Sequence, residues 1–87
     1  MSETPSVFMY TISTCSHCKA AKRFMDECGV PYEFVDIDLL DLAEKRKAVE
    51  EVKKLNPRRS YPTIVIGGDI VIVGFKEDEI REALHKS

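Results

Sequence analysis

Cys15 and Cys18 stand three positions apart in the segment TCSHC, with His17 between them and the basic stretch KAAKR behind. A thiolate is both a nucleophile and a metal ligand, so this spacing admits a structural cross-link, a metal clamp or a redox centre. As a cross-link the pair closes only a four-residue loop, which the chain-entropy relation values at about 2 kcal/mol, against about 3 for a 15-residue loop. As a structural zinc site it needs four ligands, and beyond the pair only Cys28, His17 and His85 remain, with no second pair at a finger-like spacing. Dithiol redox chemistry is the reading these residues favour, with metal or cluster binding as the alternative.

The redox reading makes demands on position. At the start of a helix, Cys15 would face unpaired backbone N–H groups and the positive end of the helix dipole, both of which favour thiolate over thiol. Cys18, one turn later, falls on the apolar stripe with Ala21 and Met25 and is expected to be more buried and less ionised. Such asymmetry suits an attacking Cys15 and a resolving Cys18. A cationic His17 beside the thiolate would tune its pKa and make the couple more oxidising; the competing reading is an exposed ring with little effect. Cys28 continues the stripe, about 15 Å along the axis from Cys18, and reads as core packing.

The elements needed to hold the pair are visible in the pattern. VFMYTI, Val7 to Ile12, predicts a buried strand leading into the cysteines. Cys18, Ala21, Met25 and Cys28, widened by Ala20 and Phe24, predict an amphipathic helix stopped by Gly29 and Pro31. YEFVDID predicts a second strand over Tyr32 to Asp38. A helix capped by Asp38 or Asp41 follows to Leu55, with Leu39, Leu42, Ala43, Val49, Val52 and Leu55 toward the core and Asn56-Pro57 as its end. TIVIGGDIVIV predicts a hairpin about Gly67-Gly68, and GFKEDEIREALHKS a final short helix. The order is β-α-β-α-β-β-α, an α/β chain whose first βα unit implies parallel pairing.

With 87 residues the chain is expected to form one domain over 1–87, its first six residues loose. A net charge of −2 with both signs interspersed gives no wholesale attraction to nucleic acid or to an anionic membrane, so neither is expected as a partner. No leader-like start and no apolar run of roughly 20 residues is present. With three cysteines, an odd number, a cytoplasmic location is expected.

These residues resemble the thioredoxin-fold redoxins, and among them the glutaredoxins and the glutaredoxin-like NrdH-redoxins, from VFMYTISTCSHC through SYPTIVIGGDIVIVGF to the last helix. The resemblance implies a thioredoxin-like fold with a four-stranded mixed sheet flanked by three helices, the second strand at one edge followed by the first, third and fourth. It implies a disulfide reductase with catalytic Cys15 and Cys18. Pro62 would follow a cis peptide bond and shape the substrate groove, with Ser60, Tyr61, Gly74 and Arg59 binding substrate. In the family the residue at Tyr61 pairs through its backbone with an extended substrate. The chain departs from the glutaredoxin pattern in three places. Ser16-His17 replaces Pro-Tyr, Ile12 stands where a lysine commonly meets the glutathione carboxylate, and Val73-Gly74-Phe75-Lys76 replaces Gly-Gly-x-Asp-Asp. The Gly-Phe pair is closer to NrdH-redoxins, which take electrons from thioredoxin reductase. Arg58 or Arg59 offers an alternative carboxylate contact. The resemblance thus implies a monomer without a tightly bound cofactor, acting on disulfide-containing proteins. Its electrons would come from glutathione as co-substrate or from a thioredoxin-reductase-type donor.

Overall fold

A computed structural model describes residues 5–58 and 60–86. Strand β1 (Val7–Thr11) leads into helix α1 (Ser16–Glu27), then β2 (Glu33–Asp36), α2 (Leu42–Leu55), β3 (Thr63–Ile66), β4 (Ile70–Val73) and α3 (Glu77–Lys86). The four strands form one mixed sheet in the order β2-β1-β3-β4, with β1 parallel to β2 and the other neighbours antiparallel. Strand alternation decides the layers. Val7, Met9, Ile64, Ile66 and Ile72 project from one face and form a core with Ala21, Phe24 and Met25 of α1 and Ile80 and Ala83 of α3. The opposite face carries Phe8, Tyr10 and Val65, which line a cavity of about 340 Å³ with Glu51, Lys54 and Leu55 of α2. Among the described residues no helix is long and apolar enough to cross a membrane.

Helix α1 ends one residue before the apolar stripe runs out. The Gly29 N–H donates to the Asp26 carbonyl at 3.1 Å and the Val30 N–H to the Met25 carbonyl at 2.9 Å, the bond pair of a Schellman motif. Val30 therefore swings back onto the core beside Met25, while Cys28 is left exposed. This corrects the expectation that Cys28 packs inside. Cys28→Ala should consequently leave folding stability within about 0.5 kcal/mol, as for other exposed positions, and disulfide-exchange rates unchanged, checked by urea unfolding and a turnover assay.

Strand β2 is shorter than its composition suggests, because the chain tightens after Asp36 into a single 3-10 turn, Ile37–Leu39, that inserts Ile37 into the interior. Leu39 is then turned outward, 70% exposed, and Leu42 is 67% exposed at the start of α2. Val52 is the buried residue of α2, with Val49 and Leu55 half-buried on its side. Ala43 precedes Val52 by about two and a half turns, which places it on the opposite, exposed side of the helix. The expected inward placement of Leu39, Leu42 and Ala43 is thus corrected. Asp41, not Asp38, caps α2, its side chain accepting from the Glu44 N–H at 2.9 Å.

Strands β3 and β4 pair from Ile66↔Ile70 outward, leaving Gly67, Gly68 and Asp69 as the hairpin loop. Both glycines hold positive φ, 67° and 85°, a backbone that other L-residues resist. The Gly67 N–H donates to the Ser6 carbonyl at 2.8 Å, so the chain just before β1 is tied to this turn. Residues 1–4 of the segment expected to be loose lie outside the described residues.

Candidate active site

Sheet pairing brings three loops to one end of the molecule. β1 and β2 finish there, at Thr11 and Asp36, and β3 begins there, with Thr63 opposite Tyr10. The Gly74 N–H, just after β4, donates to the Pro62 carbonyl at 2.8 Å. The loop carrying Cys15, the Ser60-Tyr61-Pro62 segment and Gly74 therefore share one rim. Ser60 is exposed, Tyr61 half-buried and Pro62 buried, and the Tyr61–Pro62 peptide bond is cis. Gly74 has φ 86°, and a Cβ there would meet nothing within 4 Å. Backbone handedness, rather than crowding, demands glycine, and the space above it is open. Arg58 is exposed beside this rim; Arg59 lies outside the described residues.

Cys15 occupies the N-cap of α1, with extended backbone angles (φ −80°, ψ 124°) and no side-chain cap bond. Its own N–H donates to the Ile12 carbonyl at 3.0 Å and its carbonyl accepts from the Lys19 N–H at 3.1 Å, so the sulfur is carried at the helix entrance. Cys15 is half-buried and Cys18 fully buried, both as free thiols. Burial opposes ionisation of Cys15, yet hydrogen bonds from the Cys18 N–H, the Cys18 thiol and the His17 N–H outweigh it and hold its pKa below the ordinary thiol range. His17 thus acts on the sulfur through its backbone, while the residue itself is exposed. Of the two readings of its side chain, the exposed one matches its placement. Cys18 is pushed up to about 12, by burial first and then by its bond to Cys15 and the charge on that sulfur; the Ile12 N–H and Lys22 act the other way. The Ile12 N–H lies 3.4 Å from Cys18 Sγ.

Several supports around the pair had no distinctive sequence signal. Asp38 accepts from the Ser13 N–H at 2.8 Å and the Ser13 hydroxyl at 2.5 Å, pinning the loop before Cys15 to the 3-10 turn. The hydroxyl first, then the N–H, hold the Asp38 carboxyl below its usual range. Buried Asn56 donates to the Ser60 carbonyl at 3.2 Å and the Thr63 hydroxyl at 3.4 Å, and its carbonyl oxygen accepts from the Arg58 N–H at 3.2 Å. Thr63 adds a 2.7 Å bond to the same Ser60 carbonyl. The segment leading to Pro62 is thereby shaped from inside. Asn56 was visible in sequence only as a helix end. Among the described residues no group of three or more His, Cys, Asp and Glu is placed to hold a metal ion.

Comparison with known proteins agrees with this geometry. The glutaredoxin family profile matches residues 7–71. The crystal structure of Methanosarcina acetivorans methanoredoxin superposes with a TM-score of 0.86 at 44% identity, covering 91% of this chain and 83% of that one. A glutaredoxin-like 8.6 kDa protein of the Clostridium pasteurianum rubredoxin operon is 33% identical over 90% of this chain and 96% of its own length. The Escherichia coli NrdH-redoxin, a glutaredoxin-like protein described as having a thioredoxin-like activity profile, superposes with a TM-score of 0.73 at 27% identity, covering 88% of this chain and 92% of that one. The sheet order, the placement of the cysteine pair and these matches together establish that the chain belongs to the glutaredoxin family of thioredoxin-fold thiol-disulfide oxidoreductases.

Proposed function

We propose that this redoxin reduces protein and small-molecule disulfides through its Cys-Ser-His-Cys centre, and that a thioredoxin-reductase-type flavoenzyme re-reduces it. The observation that carries the reading is the asymmetry of the pair. One sulfur is half-exposed at a helix N-terminus and favours thiolate; the other is buried and favours thiol. The Cys15 thiolate attacks one sulfur of the target disulfide, forming a mixed disulfide and expelling the other target sulfur as a thiolate that takes up a proton. Cys18 then loses its proton and attacks Cys15. The second target thiol departs, and the two electrons it carries away leave a Cys15–Cys18 disulfide behind. Pro62, Tyr61, Ser60 and Gly74 form the wall along which the substrate lies.

Two features of the rim support this donor. Ile12 offers no cationic side chain to a glutathione carboxylate, and its N–H is turned to Cys18. Phe75, which follows Gly74, stacks edge-on against Phe24 at 5.9 Å and packs on the core, where the glutaredoxin pattern offers acidic residues. The E. coli NrdH-redoxin, with its thioredoxin-like profile, supports the same donor.

The test is NADPH oxidation with a small disulfide substrate, electrons supplied through thioredoxin reductase or through glutathione and its reductase, with Cys15→Ser as the blank. Turnover with thioredoxin reductase and little with glutathione is expected. Efficient turnover with glutathione would overturn the donor assignment and direct attention to Arg58 and Arg59. Silence with both, together with iron or zinc in protein purified without oxygen, would replace exchange by metal or cluster carriage through Cys15.

A further inference from the structure

Lys22 exchanges neither sulfur nor proton in the two-step reaction, yet it is held as tightly as a site residue. Its Nζ lies 3.1 Å from Asp36 Oδ1, the two side chains being only 20% and 16% exposed. The same carboxylate oxygen accepts from the hydroxyl of buried Thr11 at 2.5 Å, and Thr11 also reaches the Val35 carbonyl at 3.0 Å. The Phe34 ring covers the ammonium from another side, its centroid 3.9 Å away. An ordinary surface lysine gains little from one ion pair and keeps its hydration. This one gives up much of its water and its freedom, and the tether that holds it ends beside Cys18.

Two features make that connection. Lys22 follows Cys18 by four residues on α1, so both lie on one helix face. Thr11 immediately precedes Ile12, whose N–H points at Cys18 Sγ. The titratable groups acting on Cys18 are Cys15 at the N-cap and Lys22 one turn on, with Asp36 of β2 behind Lys22. During resolution Cys15 is part of a mixed disulfide and carries no charge. Lys22 is then the cation left acting, from one turn away, on a sulfur that must become anionic in a buried position.

We propose that Lys22 is a positioning charge for the resolving step, its ammonium fixed by Asp36 and Thr11 one turn from Cys18 so that the buried sulfur can bear negative charge as it attacks Cys15. The inference deepens the proposed function and rests on it. In the step concerned the Cys18 S–H bond breaks and the Cys15–Cys18 bond forms. The bond from Cys15 to the target breaks, and the departing target thiolate takes the proton. No other oxidant or reductant is needed.

The experiment follows the two phases separately. Reduced protein in a Cys28→Ala background is mixed with 5,5′-dithiobis(2-nitrobenzoate); attack by Cys15 releases one nitrothiobenzoate, and resolution by Cys18 releases a second. Lys22→Met and Lys22→Gln are expected to slow the second release about tenfold at pH 7 and to raise its pH midpoint by about one unit, the scale of one nearby charge. The first release should stay within about twofold, and Lys22→Arg should restore the second. An unchanged second phase in both neutral variants, or equal slowing of both phases, would overturn the inference. Cys18→Ser separates the levels: a single equivalent released keeps the dithiol reading, whatever Lys22 does, while two equivalents would remove the reading itself.

Discussion

Cys15→Ser is expected to lower disulfide-reductase turnover by at least about a thousandfold, the loss that follows removal of an activated nucleophile without a substitute. No other sulfur can take its place. Cys18 is wholly buried, and burial, the largest cause of its raised pKa, persists when Cys15 is replaced and keeps it as a thiol. Cys28 is exposed, but it sits at the far end of α1, away from Pro62 and from any resolving thiol. A serine hydroxyl at residue 15 keeps the size of the side chain and loses its nucleophilicity, so folding is unaffected and chemistry is not.

The same residue gives a pH signature in the wild type. Because the folded environment holds the Cys15 pKa below the ordinary thiol range, its alkylation by iodoacetamide should already be at its plateau at a pH where free cysteine is mostly unreactive. The rate should decline only as pH falls through the lowered value. A profile that keeps rising through pH 8 to 9, like that of an unperturbed thiol (about 8.5), would refute the activation of Cys15. Stabilising the thiolate also stabilises the reduced protein, which makes the couple more oxidising.

Cys18→Ser is the second large effect, of a different kind. The first attack should proceed within a fewfold of wild type, after which the target stays attached to Cys15. Turnover on protein disulfides should fall about a hundredfold or more. Intact-protein mass spectrometry is the direct measurement: one covalently held target per chain after reaction, released by added dithiol. The substitution is gentle on the fold, because the Ile12 N–H that now points at Cys18 Sγ can donate to a serine oxygen instead. The expected stability cost is about 1 kcal/mol. Full turnover in this variant would mean that Cys15 works alone, with a small thiol such as glutathione completing the exchange.

Much of the frame is legible in local pattern. The alternation of Val7, Met9 and Thr11, the i, i+3, i+7 spacing of Cys18, Ala21 and Met25, and the Gly67-Gly68 turn are short-range signals whose physics acts within a few residues. They suffice for the element order and for a cysteine at a helix start with its partner one turn inside. The Tyr61-Pro62 pair and Gly74 are legible chiefly through the family resemblance, since in isolation they read as a turn and a loop glycine.

What failed to appear in the pattern depends on chain segments meeting from far apart. Cys28 has the spacing of a core residue, but the Schellman turn gives its place to Val30. Leu39 and Leu42 have core chemistry, but Ile37 takes the interior slot and leaves them in solvent. Lys22, Asp36 and Thr11 look like an ordinary surface lysine, a strand-end aspartate and a strand threonine. Only the parallel pairing of β1 with β2, and the packing of α1 against the sheet, turn them into one network beside the cysteines. The pair of thiols and their chemical class were therefore written in residue identity and spacing, because nucleophilicity and helix periodicity are local properties. How completely Cys18 is buried, which backbone groups favour thiolate at Cys15 and where the Lys22 ammonium is held were decided by tertiary contacts, because desolvation and charge act through space and not along the chain.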